Sequence, residues 1–426
     1  MAEKVEFYKE TEFRDTGIGR IPKEWELIKL SDIAEDIYYG ITAKSVENET
    51  GLKMLRTTDI KDYTVDWGSL PFCEVTKKRG DIRRFLLRKR DLIIARAGTT
   101  GVSVLVEKDF ENVFFGSYLI KVKLSPQVHA KFMHYFCQSH FYWDHITSSQ
   151  AGSTLKNISL PILKSVKVPL PSSIEEQQKI AEILSIVDEA IQKTDEVIAK
   201  TERLKKGLMQ ELLTKGIGHN EFKDTEIGRI PKEWEVVKIG DIAQTSSGGT
   251  PNRAKKEYYN GNIPWVKSSE LKDNIIYDTE EKITEEGLQN SSAKILPKGT
   301  LLVAMYSATI GKTGILGIDA TMNQAICAIP PNKTFDLNFL KNYIIFGRDR
   351  LISISSGGAQ PNISQEIIRA FKIPLPSLQE QQRIAEILSI VDEKFETSKL
   401  EKVKLERIKQ WFMEELLSGS IRVRVV

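Results

Sequence analysis

"IAEILSIVDE" occupies residues 180–189, and the same ten letters return at 384–393, 204 positions later. Ten matches in ten do not recur by chance, so the copy is either one edge of a larger duplication or a short motif used twice. The flanks decide. "EQQKIAEILSIVDE" (176–189) aligns with "EQQRIAEILSIVDE" (380–393) at 13 of 14 positions. Upstream, "VPLP" (168–171) meets "IPLP" (373–376) and "KNIS" (156–159) meets "PNIS" (361–364). Downstream, "MQELLTKGI" (209–217) meets "MEELLSGSI" (413–421). A second block opens each half: "EFRDTGIGRIPKEWELIKLSDIA" (12–34) and "EFKDTEIGRIPKEWEVVKIGDIA" (221–243) agree at 17 of 23 positions. The whole chain is a tandem repeat.

Each copy runs from an "IGRIPKEWE" block through a variable stretch and a "PLP" to a long helix. From Ile174 to Leu213 there is no proline and a single glycine, Gly207. Ile180, Leu184, Val187, Ile191 and Ile198 alternate steps of four and three, with Thr194 filling one slot. The second copy presents Leu388, Val391, Phe395, Leu405 and Phe412, with Ser398 and Lys402 at intervening positions. A 3.5-residue period sustained this long is a coiled-coil signal. Forty residues at ~1.5 Å each make a rod of about 60 Å, too long for one small module to bury. Pairing the two helices with each other buries both stripes, and an antiparallel pair puts one module at each end. Helix one is followed by "GIGHNEFKDTEIGRIPKEWE", whereas nothing comparable follows helix two, so residues 12–26 are expected to take that place and bring the termini together. The expected division is a module over 1–172, a central helix over 173–214, a second module over 215–377 and a C-terminal helix over 378–426.

A length of 426 residues, 41% hydrophobic and 28% charged, allows two to four domains of a soluble globular protein. No apolar run reaches the ~20 residues of a membrane span, and "MAEKVEFYKE" lacks a signal-peptide core. Three cysteines are no disulfide framework and point to a reducing cytoplasm. A net charge of +3 neither demands nor excludes nucleic acid, which needs a local basic stripe.

The variable stretches, about 35–165 and 244–370, share scattered anchors. "MLRTTDIKD" (54–62) resembles "WVKSSELKD" (265–273), and "DLIIARAGTTG" (91–101) resembles "TLLVAMYSATIG" (300–311), a short apolar strand entering a Gly/Thr/Ser loop. Short apolar runs, Gly/Asn turns and a few helical stretches indicate an α+β module.

"SGGTP…YYNGNIPWVKSSEL" (247–271) followed by "GAQPNIS" (358–364), "IPLP" and "EQQRIAEILSIVD" resembles the specificity subunits of type I restriction–modification systems, and the likeness spans both repeats. It implies an α+β fold of two target-recognition domains in pseudo-twofold tandem repeat, joined by two long antiparallel coiled-coil helices. It further implies double-stranded DNA as ligand, read as two half-sites, with two methyltransferase subunits docked on the helices and motor-nuclease subunits in the full complex. Such a subunit is not catalytic, and S-adenosylmethionine, ATP and magnesium belong to its partners. A prokaryotic cytoplasm is the expected location. The first copy departs from the pattern, with "YYGITAK" (38–44) and "LKMLR" (52–56) in place of "GGTP" and "IPW".

Motifs for other chemistry are incomplete. "YSATIGKTG" (306–314) holds Gly-Lys-Thr, but the glycine a phosphate loop needs is Tyr306. "IPPNK" (329–333) shares only a Pro-Pro pair with an amino-methyltransferase motif. His134, Cys137 and His140 fall at metal-like spacing, yet no second ligand pair accompanies them, and an aromatic-faced helix explains "HAKFMHYFCQSHFYWDH" (129–145) more simply. No catalytic residue and no metal site is expected.

Candidate DNA contacts follow charge. "KKRGDIRRFLLRKRDLIIAR" (77–96) carries nine Lys/Arg against two Asp, so Lys77, Lys78, Arg79, Arg83, Arg84 and Arg96 are candidates, with Arg56 and the loop residues Thr99 and Thr100. A solvated surface hairpin is the plainer account of such a run. The second copy offers Arg253, Lys255, Lys256, Lys267 and Lys312, with Ser307 and Thr309. Ile180, Leu184, Val187, Ile191, Leu388, Val391 and Phe395 are expected in the rod core. Glu176, Gln177, Glu380 and Gln381 are expected on the exposed partner-docking face, or as acidity near the helix N-terminus. Rival functions are a two-module scaffold for a non-DNA ligand and a self-contained DNA-modifying enzyme.

Overall fold

The computed structural model describes residues 5–75, 82–149, 157–306, 309–354 and 362–425. By contact density the chain forms two compact units: Met1–Asp195 with Leu400–Val426, and Glu196–Lys399. The division cuts both long helices, α1 (Ile174–Lys215) and α2 (Leu378–Leu417), so the helices are not bodies separate from the modules.

The first unit opens with the hairpin Phe13–Thr16/Gly19–Pro22. Gly19 turns it at φ +113°, a conformation glycine adopts freely, and Thr16 Oγ1 donates to the Gly19 carbonyl at 2.5 Å. "KEWE" then drops Trp25 into the core. Glu26–Lys29 pairs antiparallel with Lys167–Leu170, the "VPLP" strand; a two-stranded ribbon tolerates Pro169 because its missing N–H faces no further strand. Two sheets follow. One has the order Ser103–Leu105, Asp91–Ala95, Leu119–Leu124, Ala34–Tyr39, antiparallel throughout. The other sets Val113–Phe115 parallel to Lys53–Leu55 and continues through Phe72–Val75 to Ala43–Val46. Helices Ala130–Phe136 and His140–Ser149 close the core.

The second unit repeats this plan. Its hairpin is Phe222–Thr225/Gly228–Pro231, again with glycine at φ +113° and Thr225 Oγ1 on the Gly228 carbonyl at 2.6 Å. Glu235–Lys238 pairs with the "IPLP" strand Lys372–Leu375. A five-stranded sheet centres on Leu301–Ala304, and Thr321–Met322 runs parallel to Tyr259–Val266 in a three-stranded one.

The divergent stretches conceal a shared backbone. Gly40 N–H donates to the Leu119 carbonyl and Ile41 N–H to Phe115; in the second unit Gly248 donates to Ile326 and Gly249 to Met322. A Cβ on Gly40 would land on the carbonyl of Gly116, and one on Gly248 on that of Asn323. "YYGI" and "SGGT" are therefore one structural feature in different letters. Trp265 Nε1 donates to the Gly249 carbonyl at 2.9 Å, which ties "GGTP" to "IPW".

The helices pair antiparallel within each unit. In the first, Asp188 meets Lys409 at 2.8 Å and Asp195 meets Lys402 at 2.6 Å, seven residues forward on α1 matching seven back on α2. In the second, Lys205 meets Asp392 at 2.5 Å, the repeat equivalent of Lys409–Asp188. Such part-exposed pairs are worth under about 1 kcal/mol each and serve as register marks. The expected rod seam needs correction. Ile180 and Leu184 belong to the core of the first module, and Ile384 and Leu388 to that of the second. Ile191, Val391 and Phe395 are only half-buried, while Thr194, Thr201 and Ser398 are buried along the middle. Large apolar residues anchor the helix ends in the modules, and small hydroxyl residues are the buried ones along the middle of the helices.

The N-terminal strand Val5–Lys9 pairs antiparallel with Ile421–Val425, so the chain's ends do lie side by side.

Candidate nucleic-acid interface

In the first unit the anchor "LRTTDIKD" is a short turn. Asp59 accepts from the Arg56 N–H at 2.8 Å and from its guanidinium at 2.7 and 3.0 Å. The guanidinium stays partly exposed. Beside it runs the loop after Asp91–Ala95, where Thr99 Oγ1 reaches the Thr57 carbonyl at 3.5 Å. Arg96 stacks its guanidinium 4.3 Å from the Tyr39 ring centroid, and its N–H bonds the Tyr118 carbonyl. Arg56, Arg96 and Thr99 thus come together at one sheet end. Thr100 lies in the same loop.

Arg83 and Arg84 sit on the turn Ile82–Phe85. The turn is held from beneath: Tyr38 Oη donates to the Arg84 carbonyl at 2.7 Å, and Lys121 Nζ to the Leu86 carbonyl at 2.8 Å. Lys121 is itself buried against Asp91 at 2.6 Å. Burial pushes the Asp91 carboxyl up and the Lys121 ammonium down, and each is opposed by the other's charge. The Arg84 guanidinium lies 4.4 Å from the Tyr38 ring and 3.5 Å from Asp36. Burial raises the Tyr38 hydroxyl to about 12, which keeps it a donor. Lys77, Lys78 and Arg79 lie outside the described residues.

The second unit arranges its cations differently. "VKSSELKD" forms the same capped turn, with the Lys267 N–H on Glu270 at 2.8 Å. The Lys267 ammonium pairs with Glu280 at 2.7 Å and Glu281 at 3.1 Å. Arg253 pairs with Glu281 at 2.5 Å and stacks 4.6 Å from Tyr259 and 4.8 Å from Trp265. Lys255 Nζ donates to Tyr258 Oη at 2.8 Å, and Lys256 is exposed. Tyr258 is core and Tyr259 half-buried. Lys312 pairs with Asp273 at 3.2 Å, which also accepts from Arg348 at 2.6 Å and from the Thr313 N–H at 3.0 Å. Burial alone would raise the Asp273 carboxyl, but Arg348 and these donors outweigh it and hold it below the usual range. Thr309 Oγ1 donates to the Tyr306 carbonyl. Ser307 lies outside the described residues. Tyr38, Tyr39, Lys121, Asp273, Glu281 and Arg348 are structural partners that the sequence reading missed, since each acts on residues distant in the chain.

The expected docking face does not stand where it was placed. Gln177 is buried: its Oε1 accepts the His129 N–H at 2.8 Å and its Nε2 donates to the Pro171 carbonyl at 2.9 Å. Gln381 does the same, with the Asp336 N–H at 2.8 Å and the Pro376 carbonyl at 2.9 Å. Glu176 is buried against Arg422 at 2.5 Å. Glu380 accepts from Trp234 Nε1 at 3.0 Å and the Ile217 N–H at 3.0 Å, and lies 2.9 Å from His219 Nε2. "EQQ" therefore locks the helix N-terminus to its own module. Ser173 and Ser377 Oγ cap the two helices through the Glu176 and Glu380 N–H groups, each at 3.3 Å.

His134 is half-buried, with its Nδ1 enclosed, and burial drives its imidazole down to about 4, while burial drives the Cys137 thiol up to about 12. Cys137 belongs to the module core, His134 packs against Tyr63 and Tyr135, and His140 packs its ring on Phe141.

A family model described as the type I restriction modification DNA specificity domain matches residues 22–203 and 231–407. The chain belongs to that family. It is similar to the putative type I restriction enzyme MjaX specificity subunit of Methanocaldococcus jannaschii, 30% identical over 432 residues that span 99% of each chain. It also resembles the EcoR124I/EcoR124II specificity subunit of Escherichia coli, 30% identical over 236 residues covering 54% of this chain and 56% of that one. The crystal structure of a type I S subunit from M. genitalium shares the fold, with a TM-score of 0.58 over 92% of this chain and 96% of that one at 18% identity. The specificity-family chain is a DNA-recognition subunit of a type I restriction–modification complex, built as two specificity domains in tandem. No described helix is long and apolar enough to cross a membrane.

Proposed function

We propose that this specificity subunit reads an asymmetric bipartite site on double-stranded DNA, one half-site per module, and seats two methyltransferase subunits on its paired helices. The single observation that carries this is unequal divergence of the repeat. The helix start repeats its serine caps and its buried Gln177 and Gln381 clamps bond for bond, while the cation clusters of the two modules are built from different residues. Surface follows the same rule: Ile186 is 67% exposed and Ile390 61%, identical letters with no core to fill. Two copies of one exposed surface fit two copies of one partner.

In the modules, Arg84 and Arg96, with their guanidinium groups over tyrosine rings, carry N–H groups suited to phosphate or guanine. Arg56, Arg84, Arg253, Lys267 and Lys312 must exchange a carboxylate for DNA, so their net contribution is smaller. Catalysis, S-adenosylmethionine, ATP and magnesium reside in partner subunits, motor-nuclease subunits complete the restriction complex, and the assembly works in the prokaryotic cytoplasm. Replacing residues 35–165 by another family member's module tests the reading: one half-site of the methylated motif changes and the other persists. A change in both halves contradicts it. Binding of S-adenosylmethionine by the purified chain would favour the rival enzyme, and DNA affinity independent of salt would favour the non-DNA scaffold.

A further inference from the structure

Between Leu400 and Trp411 the outer face of α2 differs from its repeat equivalent. Leu400, Val403, Ile408 and Trp411 are 63, 44, 43 and 47% exposed. At the helical pitch they share an arc of about 140° with Lys404 and Arg407. Their neighbours Lys402 and Lys409 are paired with Asp195 and Asp188, but Lys404 and Arg407 have neither ion pair nor hydrogen bond among the described residues. The exposed Phe7 lies 6.1 Å from Phe412, which lies 5.1 Å from Trp411, and extends the apolar surface onto the N-terminal strand.

The equivalent positions of α1 are Glu196, Ala199, Leu204 and Gly207. There Lys200 pairs with Glu196 at 3.7 Å, and Arg203 Nε donates to the Ala199 carbonyl at 3.3 Å. The antiparallel registers sharpen the contrast. Two residues beyond Asp188–Lys409, the duplicated Ile186 lies level with Trp411. Two residues beyond Asp392–Lys205, Ile390 lies level with Gly207.

We infer that the face from Leu400 to Trp411 is a docking site present once per chain, which takes an acidic amphipathic helix of one methyltransferase subunit and makes the two docking positions unequal. The inference rests on the docking reading above and adds to it. Four large apolar side chains on one helix face need an apolar partner, and two unpaired cations among them select carboxylates on that partner. A second copy of this chain fits poorly, because antiparallel stacking of the face on itself sets Lys404 against Arg407. DNA would leave the apolar groups uncovered.

The test titrates the full chain with the purified, co-encoded methyltransferase subunit and follows stoichiometry by native mass spectrometry and sedimentation. The 1:1 complex forms first, at least about tenfold tighter than the second step after the statistical correction. The Leu400→Gln/Trp411→Gln double variant weakens the tight step about tenfold or more and leaves the second unchanged, with helical circular dichroism intact. Arg407→Glu weakens the same step. Two equal steps in the unaltered chain, or a tight step indifferent to these variants, overturn the inference and leave two-site docking standing. Self-association of the chain that Trp411→Gln abolishes assigns the face to a second copy and overturns it as well. Absence of any complex removes the docking reading together with it.

Discussion

The two modules close the same helix-start joint with different atoms. In the first, Glu176 is held by Arg422, which also meets Glu10 at 2.6 Å and Glu24 at 3.2 Å, and Trp25 Nε1 is buried without a partner among the described residues. In the second, the equivalent Glu380 is satisfied by Trp234 Nε1, His219 and the Ile217 N–H, with no arginine among the described residues. Arg422 occupies the position of Gly218 in the repeat. The first joint also receives the strand pairing of the chain's own ends, whereas the second is crossed by continuous chain from Lys215 into the next hairpin. A charged cluster thus does at the break what covalent continuity does elsewhere. The difference shows that the repeat preserves geometry first and residues only where both copies face the same neighbours.

The largest expected effect tests that contrast. Arg422→Met strands Glu176 and Glu10 without a countercharge and should cost about 3–5 kcal/mol in the first unit, read by denaturant melts. The burial of the Arg422 guanidinium opposes its charge, but Glu176 and Glu10 outweigh this and hold it protonated. Hydrogen exchange should quicken around residues 5–25 and 174–184 and stay unchanged at 378–390; equal change in both joints would dissolve the comparison.

Acid should separate the units next. His134 is driven to about 4 by burial, below its ordinary ~6.5, so the unfolded chain takes up the proton first. Its contribution is complete above ~6.5 and is lost as pH falls toward about 4, to a total of about 3 kcal/mol. The second unit has Lys341 at that position and is spared in this window. Its own acid-sensitive group, Asp273, lies below the usual carboxylate range, so its contribution is complete above ~3.9 and lost only below that. His134→Leu should flatten the pH dependence of the first unit alone, measured by melts at pH 7 and 4.5.

Gln177→Ala and Gln381→Ala should each cost about 1–3 kcal/mol, because each leaves a buried helix-start N–H unpaired. Here the expectation is equality, and a large difference between them would show that the duplicated clamp is not duplicated in energy. Smallest is the effect of the cations on DNA. Arg96→Gln should lower the salt slope of binding by about 1, and Arg56→Gln, Arg84→Gln or Arg253→Gln by less, since those already hold a carboxylate.

The duplication, the antiparallel helices and the closeness of the termini were legible because they rest on periodicity and repeat order. The interior of the modules was not. Gly40 and Gly248 share a backbone position without sharing a sequence neighbourhood, and only the close approach of Gly116 and Asn323 reveals it. "EQQ" read as an exposed acidic helix start because local sequence shows the dipole but not the strand ends and arginine that bury Glu176. Heptad spacing at Ile180 and Leu184 was real, but spacing does not say whether the covering surface is a helix or a module. For the DNA contacts, composition located the basic segment, whereas the Tyr38 and Lys121 supports beneath Arg84 come from strands far along the chain.

The most direct test of the central claim is sequencing of methylated DNA from cells that express this chain with its co-encoded methyltransferase subunit. Methylation is expected at one motif made of two unlike half-sites with a constant gap. A palindromic motif, a variable gap, or no new methylation despite a stable complex would contradict it.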